Sequence, residues 1–311
     1  MKGLIVTLTI NPAIDRTFTT DRLVFEDRTY ILDRTETAGG RGINASRVLH
    51  AFGAPTFALA TAGGESGQRF QCYLQQAGFP FELVPIAREI RTNLAITDRQ
   101  GLTIKLNERG PQLTSEEVSR IEEAVRRHLD GADWLMLCGS LPPGVPDSFY
   151  ARLIALARER GVKTLLDTDG PPLGLGVAER PTVVTPNQQE AERLLDTALV
   201  TSSHALAAAA RIREMGAELV VLSLGSRGAV GAFPDGLVHA IPAPIQAVCP
   251  IGAGDALAAA FVWAFQQGSS PRDALRWAVA AGTASASLPG VQFASLEQTR
   301  KVYDLVELRE A

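Results

Sequence analysis

The sequence carries no excess of positive charge. Its 311 residues include 30 Lys and Arg against 34 Asp and Glu, which gives a formal net charge of -4 at pH 7. Nucleic acids and anionic membranes are bound through cationic faces, so this balance predicts neither of them as a partner. A locally basic pocket for a small anion remains compatible with the composition.

Long apolar runs and paired cysteines are also missing. No stretch approaches the roughly 18 uncharged apolar residues of a membrane helix. The apolar start of the chain is interrupted at Asn11 and Pro12, too early for a signal peptide. Cys72, Cys138 and Cys249 lie far apart without metal-ligand spacing, which favours packing roles in a reducing compartment. We therefore expect a cytoplasmic protein.

Two widespread catalytic motifs are absent as well. The phosphate-binding pattern GxxxxGK[ST] occurs nowhere, which excludes a P-loop nucleoside triphosphatase. The GxSxG nucleophile elbow is also missing, so a serine hydrolase has no support. The four histidines are dispersed without metal-ligand spacing.

Short β-branched runs alternate with longer amphipathic patterns along most of the chain. The runs are residues 4–10, 134–137, 164–166, 182–184 and 219–222. Helix starts are indicated by capping boxes at 114–117 and 295–298, and by a serine cap before proline at 270–271. The alternation predicts an α/β fold, a doubly wound and mostly parallel sheet with helices on both faces.

Two regions break this alternation. Residues from about 16–36 and from about 91–107 are rich in Thr, Val and Ile, and neither contains a helical pattern. Polar and apolar residues alternate in LTIKLN, as in a strand with one solvated face. We expect one small β-sheet lid, built from both insertions, on a single domain spanning residues 1–311.

The motif PIGAGDA at 250–256 precedes an Ala-rich helical pattern. Its glycines allow a close backbone approach to a ligand, and free amides at a helix start bind anionic charge. The same helix start favours an ionised Asp255, ready to accept a proton. A glycine turn with an aspartate that only caps the helix is the alternative.

A second glycine motif, AGGRGINAS at 38–46, opens another helical pattern and carries Arg41 and Asn44. It also fits the loose dinucleotide pattern GxGxxG/A, with Glu65 at a suitable distance for the acidic partner. That pattern should follow the first strand directly, whereas NPAID at 11–15 stands there instead. The match to the dinucleotide pattern is therefore weak. A dinucleotide-dependent oxidoreductase nevertheless stays open as an alternative.

Three further motifs follow predicted strands. GSLPPG at 139–144 follows an apolar run, and loops at the carboxyl ends of strands face the ligand crevice of α/β sheets. Asn187 and Glu190 lie one helical turn apart, which suits either a hydrated magnesium ion or a surface helix start. SLGSRG at 223–228 is another glycine turn.

The ordered set of motifs resembles the ribokinase-like (PfkB) sugar kinases over nearly the whole chain. NPAID, GGRGIN, IRTNL, LNERGP and GSLPPG resemble its hexose-phosphate branch, which contains 1-phosphofructokinase, tagatose-6-phosphate kinase and a minor 6-phosphofructokinase. The resemblance implies ATP-dependent phosphorylation of a sugar phosphate with Mg²⁺. Fructose 1-phosphate and fructose 6-phosphate are the expected substrates, with tagatose 6-phosphate as an alternative.

The resemblance also implies roles for individual residues. Asp255 matches the catalytic base, and Gly252, Ala253 and Gly254 match the anion hole. The implied substrate-binding residues are Asp15, Gly39, Gly40, Arg41, Asn44, Arg91, Lys105 and Ser140. The implied nucleotide-binding residues are Asn187, Ser223, Gly225, Gly228, Gly282 and Ser285. Glu190 is expected to bind the metal through water.

Apart from the resemblance, there is a chemical reason to expect arginine and lysine side chains at the substrate site. A phosphate dianion in a partly dry cleft needs charge-assisted donors, which Arg41, Arg91 and Lys105 would supply, with Arg28 of the lid as a further one. A solvated surface charge is the alternative, most of all for Lys105.

The sequence departs from the family pattern at three positions. Arg41 replaces a common Lys, Thr185 replaces a Lys common before Pro-Asn, and Pro250 replaces a common Thr. The last two leave nucleotide affinity and activation by a monovalent cation open, and they keep a non-catalytic sugar-phosphate-binding protein as an alternative. An exposed lid sheet could pair with a second subunit, which would give a homodimer through the lid.

Overall fold

The computed structural model of the protein describes residues 3–24 and 27–310. The strands are β1 (Leu4–Thr9), β2 (Ala13–Thr20), β3 (Ile31–Gly39), β4 (Thr56–Ala62), β5 (Phe81–Pro85), β6 (Arg91–Asp98), β7 (Thr103–Asn107), β8 (Ala132–Cys138), β9 (Lys163–Asp167), β10 (Val183–Val184), β11 (Leu219–Ser223), β12 (Ala229–Phe233), β13 (Gly236–Ile241) and β14 (Glu307–Glu310). The helices are α1 (Arg41–Ala51), α2 (Gly64–Ala77), α3 (Ser115–Leu129), α4 (Phe149–Glu159), α5 (Pro171–Ala178), α6 (Gln188–Leu195), α7 (Ser202–Glu214), α8 (Ala253–Gln266), α9 (Pro271–Ala286) and α10 (Leu296–Tyr303).

The larger sheet has the strand order β14-β13-β12-β11-β10-β9-β8-β1-β4-β5. Neighbours from β5 to β11 pair in parallel, and the last three strands pair antiparallel. The two faces of this sheet pack into separate apolar clusters. Along β1, Val6 and Leu8 belong to one cluster and Ile5 belongs to the other. Helices therefore cover both faces, and the predicted doubly wound α/β fold is confirmed.

The smaller sheet has the order β3-β2-β6-β7. Strand β2 pairs antiparallel with β3 and parallel with β6, while β6 and β7 form an antiparallel hairpin. The predicted second sheet from two insertions is thus confirmed. Its strands begin earlier and end later than expected, at Ala13 and Gly39, and positions 25 and 26 of the predicted lid lie outside the described residues.

The helix starts agree with the capping signals. Thr114 and Ser295 each close a capping box with the residue three positions on, and Ser270 accepts a hydrogen bond from the amide of Asp273. Each such cap stabilises its helix by about 1 kcal/mol. Over the described part of the chain, no helix is both long and apolar enough to cross a membrane.

Candidate active site

A cavity of about 670 Å³ opens at the carboxyl ends of β1 and β8 and under one face of the smaller sheet. The carboxyl ends of parallel strands meet at one edge of a sheet, where α/β proteins bind ligands. The predicted site residues that line it are Asp15, Gly40, Arg41, Asn44, Arg91, Ser140 and Asp255. Motifs from distant parts of the sequence therefore share one site.

Asp255 lies in the first turn of α8 and lines this cavity. Gly252 precedes the helix with φ of 82°, a left-handed conformation that favours glycine. A Cβ at Gly252 would also come within 2.8 Å of the Phe293 ring. The glycine turn therefore sets the position of the helix start and, with it, the position of the carboxylate.

The pKa of Asp255 differs from the expectation of a fully ionised carboxylate. Its pKa is raised from 3.8 to about 7, first by burial and second by the negative charge of Asp167. A hydrogen bond from Asn44 and the positive charge of Arg41 act in the opposite direction. Desolvation therefore outweighs the helix start, and the carboxylate is only partly ionised near neutral pH. A carboxylate with a pKa near neutrality is well suited to general-base catalysis.

Asp15 lies on β2 and faces the same cavity. The Nδ2 of Asn93 on β6 donates a 2.9 Å hydrogen bond to Oδ1 of Asp15. Burial raises the pKa of Asp15, while Asn93, Arg91 and Arg47 lower it. A Cβ at Gly39 would lie 2.0 Å from Oδ2 of Asp15, so only glycine leaves room for this carboxylate.

The two adjacent glycines thus have different roles in the structure. Gly39 is buried behind the Asp15 carboxylate and is not part of the cavity wall. Gly40 lines the cavity and has φ of 126°, and a Cβ there would come within 2.6 Å of the Thr9 methyl group. Direct contact with substrate stays a prediction for both.

Arg41 binds acidic side chains rather than facing the cavity alone. Its Nη1 lies 2.8 Å from Oδ1 of Asp167, and its Nη2 lies 3.0 Å from Oε1 of Glu190 and 3.7 Å from Oδ2 of Asp169. These charges raise the pKa of Arg41. Its predicted role as a cation for the substrate's phosphate therefore competes with three carboxylates.

Asn187 and Glu190 form a capping box at the start of α6. The Oδ1 of Asn187 accepts from the Glu190 amide, and Oε2 of Glu190 accepts from the Asn187 amide. The second carboxylate oxygen accepts the hydrogen bond from Arg41. Burial raises the pKa of Glu190, and Arg41 opposes that rise.

A magnesium site made of protein ligands alone is not present in the described chain. No group of three or more His, Cys, Asp or Glu side chains there is arranged to hold a metal ion. Mg²⁺ is usually bound by one or two carboxylates together with substrate phosphates and water. Glu190 and Asp167, which share the Arg41 guanidinium, fit that mode of binding.

Another part of the cavity wall is built around Arg91 and Asn11. Arg91 donates from Nη1 to the carbonyl of Glu108 at 2.9 Å and from Nη2 to the carbonyl of Asn11 at 3.0 Å. Asn11 donates from Nδ2 to Oγ of Ser140 and to the carbonyl of Arg109. The Nε of Arg91 and the Oδ1 of Asn11 are buried without a protein hydrogen-bond partner.

Sequence reasoning missed several residues of this wall, and three of them matter for the site. Asn11, Asn93 and Arg109 all line the cavity, although none was assigned to the site. The signal was present, because NPAID and LNERGP contain Asn11 and Arg109. Asn93 could have been found from its register, since it pairs with Asp15 between neighbouring lid strands.

The predicted cations of the lid lie away from the cavity lining. Lys105 is exposed on β7, and Arg28 is exposed in the connection between β2 and β3. Neither is among the residues that line the cavity. Their contribution to phosphate binding stays a prediction.

The predicted nucleotide loop lies after β11. Ser223 forms a bridge with Asn187, and Gly225 and Gly228 have φ of 61° and 85° in the turn that follows. A Cβ at Gly228 would lie 2.0 Å from the carbonyl oxygen of Ala240. The turn therefore depends on glycine, and its contact with nucleotide stays a prediction.

Gly282 and Ser285, two of the predicted nucleotide-binding residues, are engaged in contacts within the protein. A Cβ at Gly282 of α9 would lie 3.1 Å from the carbonyl oxygen of Ala253, so this glycine lets α9 approach the start of α8. The Oγ of Ser285 accepts a hydrogen bond from the Ala294 amide. Neither lines the cavity described above, and their nucleotide role stays a prediction.

Thr185 and Pro250, which depart from the family pattern, affect only their immediate surroundings. Thr185 is only 7% exposed, and its hydroxyl is buried without a protein partner. The carbonyl of Pro250 accepts from the Ala253 amide in the turn that leads into α8. The proline therefore leaves the glycine turn intact, while Thr185 supplies no positive charge.

Comparisons with known proteins agree with this geometry. The profile of the pfkB family carbohydrate kinases matches residues 4–299. The chain is 31% identical to the ATP-dependent 6-phosphofructokinase isozyme 2 of Mycobacterium tuberculosis, over 98% of this chain and 90% of the relative. It is 27% identical to the 1-phosphofructokinase of Vibrio cholerae, over 99% and 97%.

Solved structures give the same result. Phosphofructokinase-2 of Escherichia coli in complex with potassium superposes with a TM-score of 0.90 at 29% identity, covering 96% of this chain and 98% of that one. A tetrameric inhibited form of the same E. coli protein superposes with a TM-score of 0.89 at 29% identity, covering 98% and 99%.

Proposed function

Because the chain belongs to the pfkB family of carbohydrate kinases, we propose that it phosphorylates a fructose phosphate to fructose 1,6-bisphosphate at the expense of ATP. The observation that carries the proposal is Asp255, a carboxylate with a pKa of about 7 at a glycine-rich helix start. It lines a cavity that Arg91 and Ser140 also line. A dinucleotide-dependent oxidoreductase does not explain this arrangement.

The proposed reaction is in-line phosphoryl transfer. Asp15, oriented by Asn93, accepts hydrogen bonds from sugar hydroxyl groups, while Arg91 and Ser140 bind the phosphate that the sugar already carries. Asp255 takes the proton of the attacking hydroxyl as the γ-phosphoryl group moves onto its oxygen. The amide of Gly254 at the start of α8 stabilises the negative charge in transit, while the amide of Ala253 would first have to leave its hydrogen bond with the Pro250 carbonyl. Charge stabilisation of this kind carries most of the catalysis of phosphoryl transfer.

Mg²⁺ would enter with ATP and neutralise charge on its phosphates. Glu190 and Asp167 are the carboxylates that would hold it, through water or directly. The ATP itself would lie beside the turns that contain Ser223, Gly225 and Gly228. Thr185 supplies no cation there, so Arg41 is the nearest fixed positive charge among these acids.

Fructose 6-phosphate is the first candidate substrate, because the relatives at 31% identity carry the name 6-phosphofructokinase. Fructose 1-phosphate is the second, on the similarity to the V. cholerae 1-phosphofructokinase. Tagatose 6-phosphate is a third. All three offer one hydroxyl to Asp255 and one phosphate to Arg91 and Ser140.

An ADP-release assay with Mg·ATP tests the proposal. The substrates are the three ketohexose phosphates together with unphosphorylated fructose and ribose, with and without potassium. Potassium is included because the E. coli neighbour was solved in complex with it, and because Pro250 replaces a Thr that is common in the family before the glycine turn. Turnover of one ketohexose phosphate supports the proposal, whereas turnover of free sugars only would contradict it.

A non-catalytic sugar-phosphate-binding protein is the second candidate, favoured by the buried, uncharged Thr185. Tight binding of fructose 6-phosphate without ADP release would support it. In that case Thr185→Lys is the first substitution to make, since it adds the cation that the family commonly carries.

We further propose that the chain forms a homodimer through the lid. Cross-strand partners share a face, and Leu94 with Leu106 lies on the face opposite Asp15. Leu106 is 53% exposed, and Tyr30 and Ile31 beside this sheet are 74% and 57% exposed. An apolar sheet face of this kind is usually covered by a partner, and the related E. coli protein forms a tetramer in its inhibited state.

Sedimentation velocity tests the dimer. Leu106→Glu should convert a dimer into a monomer, because it places a charge in the proposed interface. Leu175→Glu is the control, since Leu175 is 45% exposed on α5, away from the lid. A monomeric wild-type protein at micromolar concentration would contradict the proposal.

The location is proposed to be cytoplasmic. Cys72, Cys138 and Cys249 are all free thiols, as expected in a reducing compartment. ATP and phosphorylated sugars are themselves intracellular metabolites, which fits the proposed reaction.

A further inference from the structure

We propose that Arg109 is a specificity-determining residue whose guanidinium binds the phosphate that the sugar substrate already carries. The inference rests on the proposed function and adds a residue that the sequence motifs did not single out. It begins from the arginines that line the cavity, which in the described chain are Arg41, Arg91 and Arg109. Each of the three has a different set of partners.

Two of these arginines are already engaged by the protein. Arg41 pairs with the carboxylates of Asp167, Asp169 and Glu190, so its charge is compensated. Arg91 keeps its positive charge, but both of its terminal nitrogens donate to backbone carbonyl groups and its Nε is buried. A phosphate dianion beside Arg91 therefore leaves room for a second cation with free donors.

Arg109 differs from both. It is exposed, and no hydrogen bond or ion pair joins its side chain to another residue within 3–24 or 27–310. All the donors of its planar guanidinium are thus available for bidentate binding of a phosphate. Among the cations of the cavity it is the one that a ligand can recruit without breaking a protein contact.

The backbone of Arg109 is nevertheless fixed. Asn11 donates a 3.0 Å hydrogen bond from Nδ2 to the Arg109 carbonyl. Gly110 has φ of 97°, and a Cβ there would lie 2.2 Å from Oδ1 of Asn11, so this contact requires glycine. The neighbouring carbonyl of Glu108 accepts from Arg91. Arg109 therefore extends from a segment that is anchored to the part of the cavity wall around Arg91 and Asn11.

The charge of the cavity makes such a cation necessary. Its lining contains five acidic residues, Asp15, Glu108, Asp147, Asp169 and Asp255, against three arginines. An unphosphorylated sugar is neutral and meets no repulsion from this excess. A sugar phosphate is a dianion, so its binding depends on a cation that the acids have not already neutralised. Arg109 therefore favours phosphorylated over free sugars.

The test compares substrates with and without the phosphate. Steady-state kinetics of Arg109→Gln should show a rise in KM of about 10- to 100-fold for fructose 6-phosphate, the value of one or two charge-assisted hydrogen bonds. The kcat should change little, because this contact is remote from Asp255. Arg109→Lys should recover part of the affinity, since lysine keeps the charge without the bidentate geometry.

The control substitution is Arg99→Gln, at an exposed lid turn where Arg99 pairs with Asp21. It should leave both kinetic constants unchanged. Titration calorimetry of fructose 6-phosphate and of fructose, with each variant, keeps the inference separate from the proposed function. If the wild-type protein turns over no sugar phosphate, the proposed function fails, while a phosphate-dependent loss of binding in Arg109→Gln still supports the role of Arg109. Equal effects on fructose and fructose 6-phosphate, or none on either, would overturn it.

Discussion

The side-chain amide of Asn44 donates a 2.7 Å hydrogen bond to Oδ2 of Asp255, and it joins two motifs that are 211 residues apart. Asn44 lies in the first turn of α1 and Asp255 in the first turn of α8. The bond lowers the pKa of Asp255, while burial raises it. Asn44 thus orients the carboxylate and keeps part of its population ionised near neutral pH.

Removal of this bond should shift the pH profile. Asn44→Ala should raise the pKa of Asp255 further, so the acid limb of kcat/KM moves to higher pH and the rate at pH 7 falls roughly tenfold. The pH dependence of the initial rate is the measurement. Asn93→Ala is the matched control, because Asn93 bonds to Asp15 instead. That variant should raise KM for the sugar and leave the acid limb in place.

Turnover itself should follow the ionisation of Asp255. Only the deprotonated carboxylate accepts a proton, so kcat should rise with pH through about 7 in the wild-type protein. Asp255→Asn should lower kcat at least roughly a hundredfold, which is the value of general-base catalysis. Asp147→Asn, which changes another cavity carboxylate, should keep the pH-dependent rise. Near-normal turnover of Asp255→Asn would remove the assigned base.

Asp255 should also affect the free energy of unfolding. Its pKa in the folded state, about 7, lies above the ordinary 3.8, so folding favours the protonated form. The stability that this form gives is fully present below about pH 4 and is lost as the pH rises through 7. Asp255→Asn should therefore raise Tm relative to wild type at pH 8 and change it little at pH 4. An equal change at both pH values would contradict a raised pKa.

Much of the fold could be predicted from local sequence patterns. The β-branched runs placed five strands of the parallel sheet, β1, β8, β9, β10 and β11, within about two residues, whereas β4 and β5 were not predicted. The lid strands were placed less well. Ala13 and Gly39 belong to β2 and β3, but both lie within motifs that were interpreted as ligand loops.

The candidate site could be predicted only in part. Glycine motifs pointed to Asn44 and Asp255, since glycine turns mark positions where the backbone approaches a ligand, while Asp15 was named only by the resemblance to the family. The partners of Arg41 could not be named, because Asp167 lies at the end of β9 and Glu190 in a separate helix. The raised pKa of Asp255 could not be predicted from the sequence either, because desolvation depends on the packing of side chains that are distant in sequence.

Arg41 offers a direct test of that carboxylate network. Arg41→Gln removes a positive charge that lowers the pKa of both Asp255 and Glu190, so the acid limb of kcat/KM should move to higher pH. Arg41→Lys should shift the limb less, because it keeps a charge but cannot contact three carboxylates at once. pH–rate profiles of the three proteins are the measurement. A higher KM for the sugar phosphate with an unmoved acid limb would instead place Arg41 in the substrate's phosphate site.

Gly39 should be the glycine of the sugar site that tolerates substitution least. A Cβ in Gly39→Ala would lie 2.0 Å from Oδ2 of Asp15, so the carboxylate must move away from its hydrogen bond with Asn93. KM for the sugar phosphate should rise about tenfold or more, the value of a lost hydrogen bond to a charged group, while KM for ATP stays close to wild type. Gly174→Ala is the matched control, because its nearest neighbour is the mobile end of the Leu194 side chain at 3.3 Å. Equal effects of the two substitutions on KM for the sugar phosphate would show that Asp15 does not hold the sugar, since both would then act only through the stability of the fold.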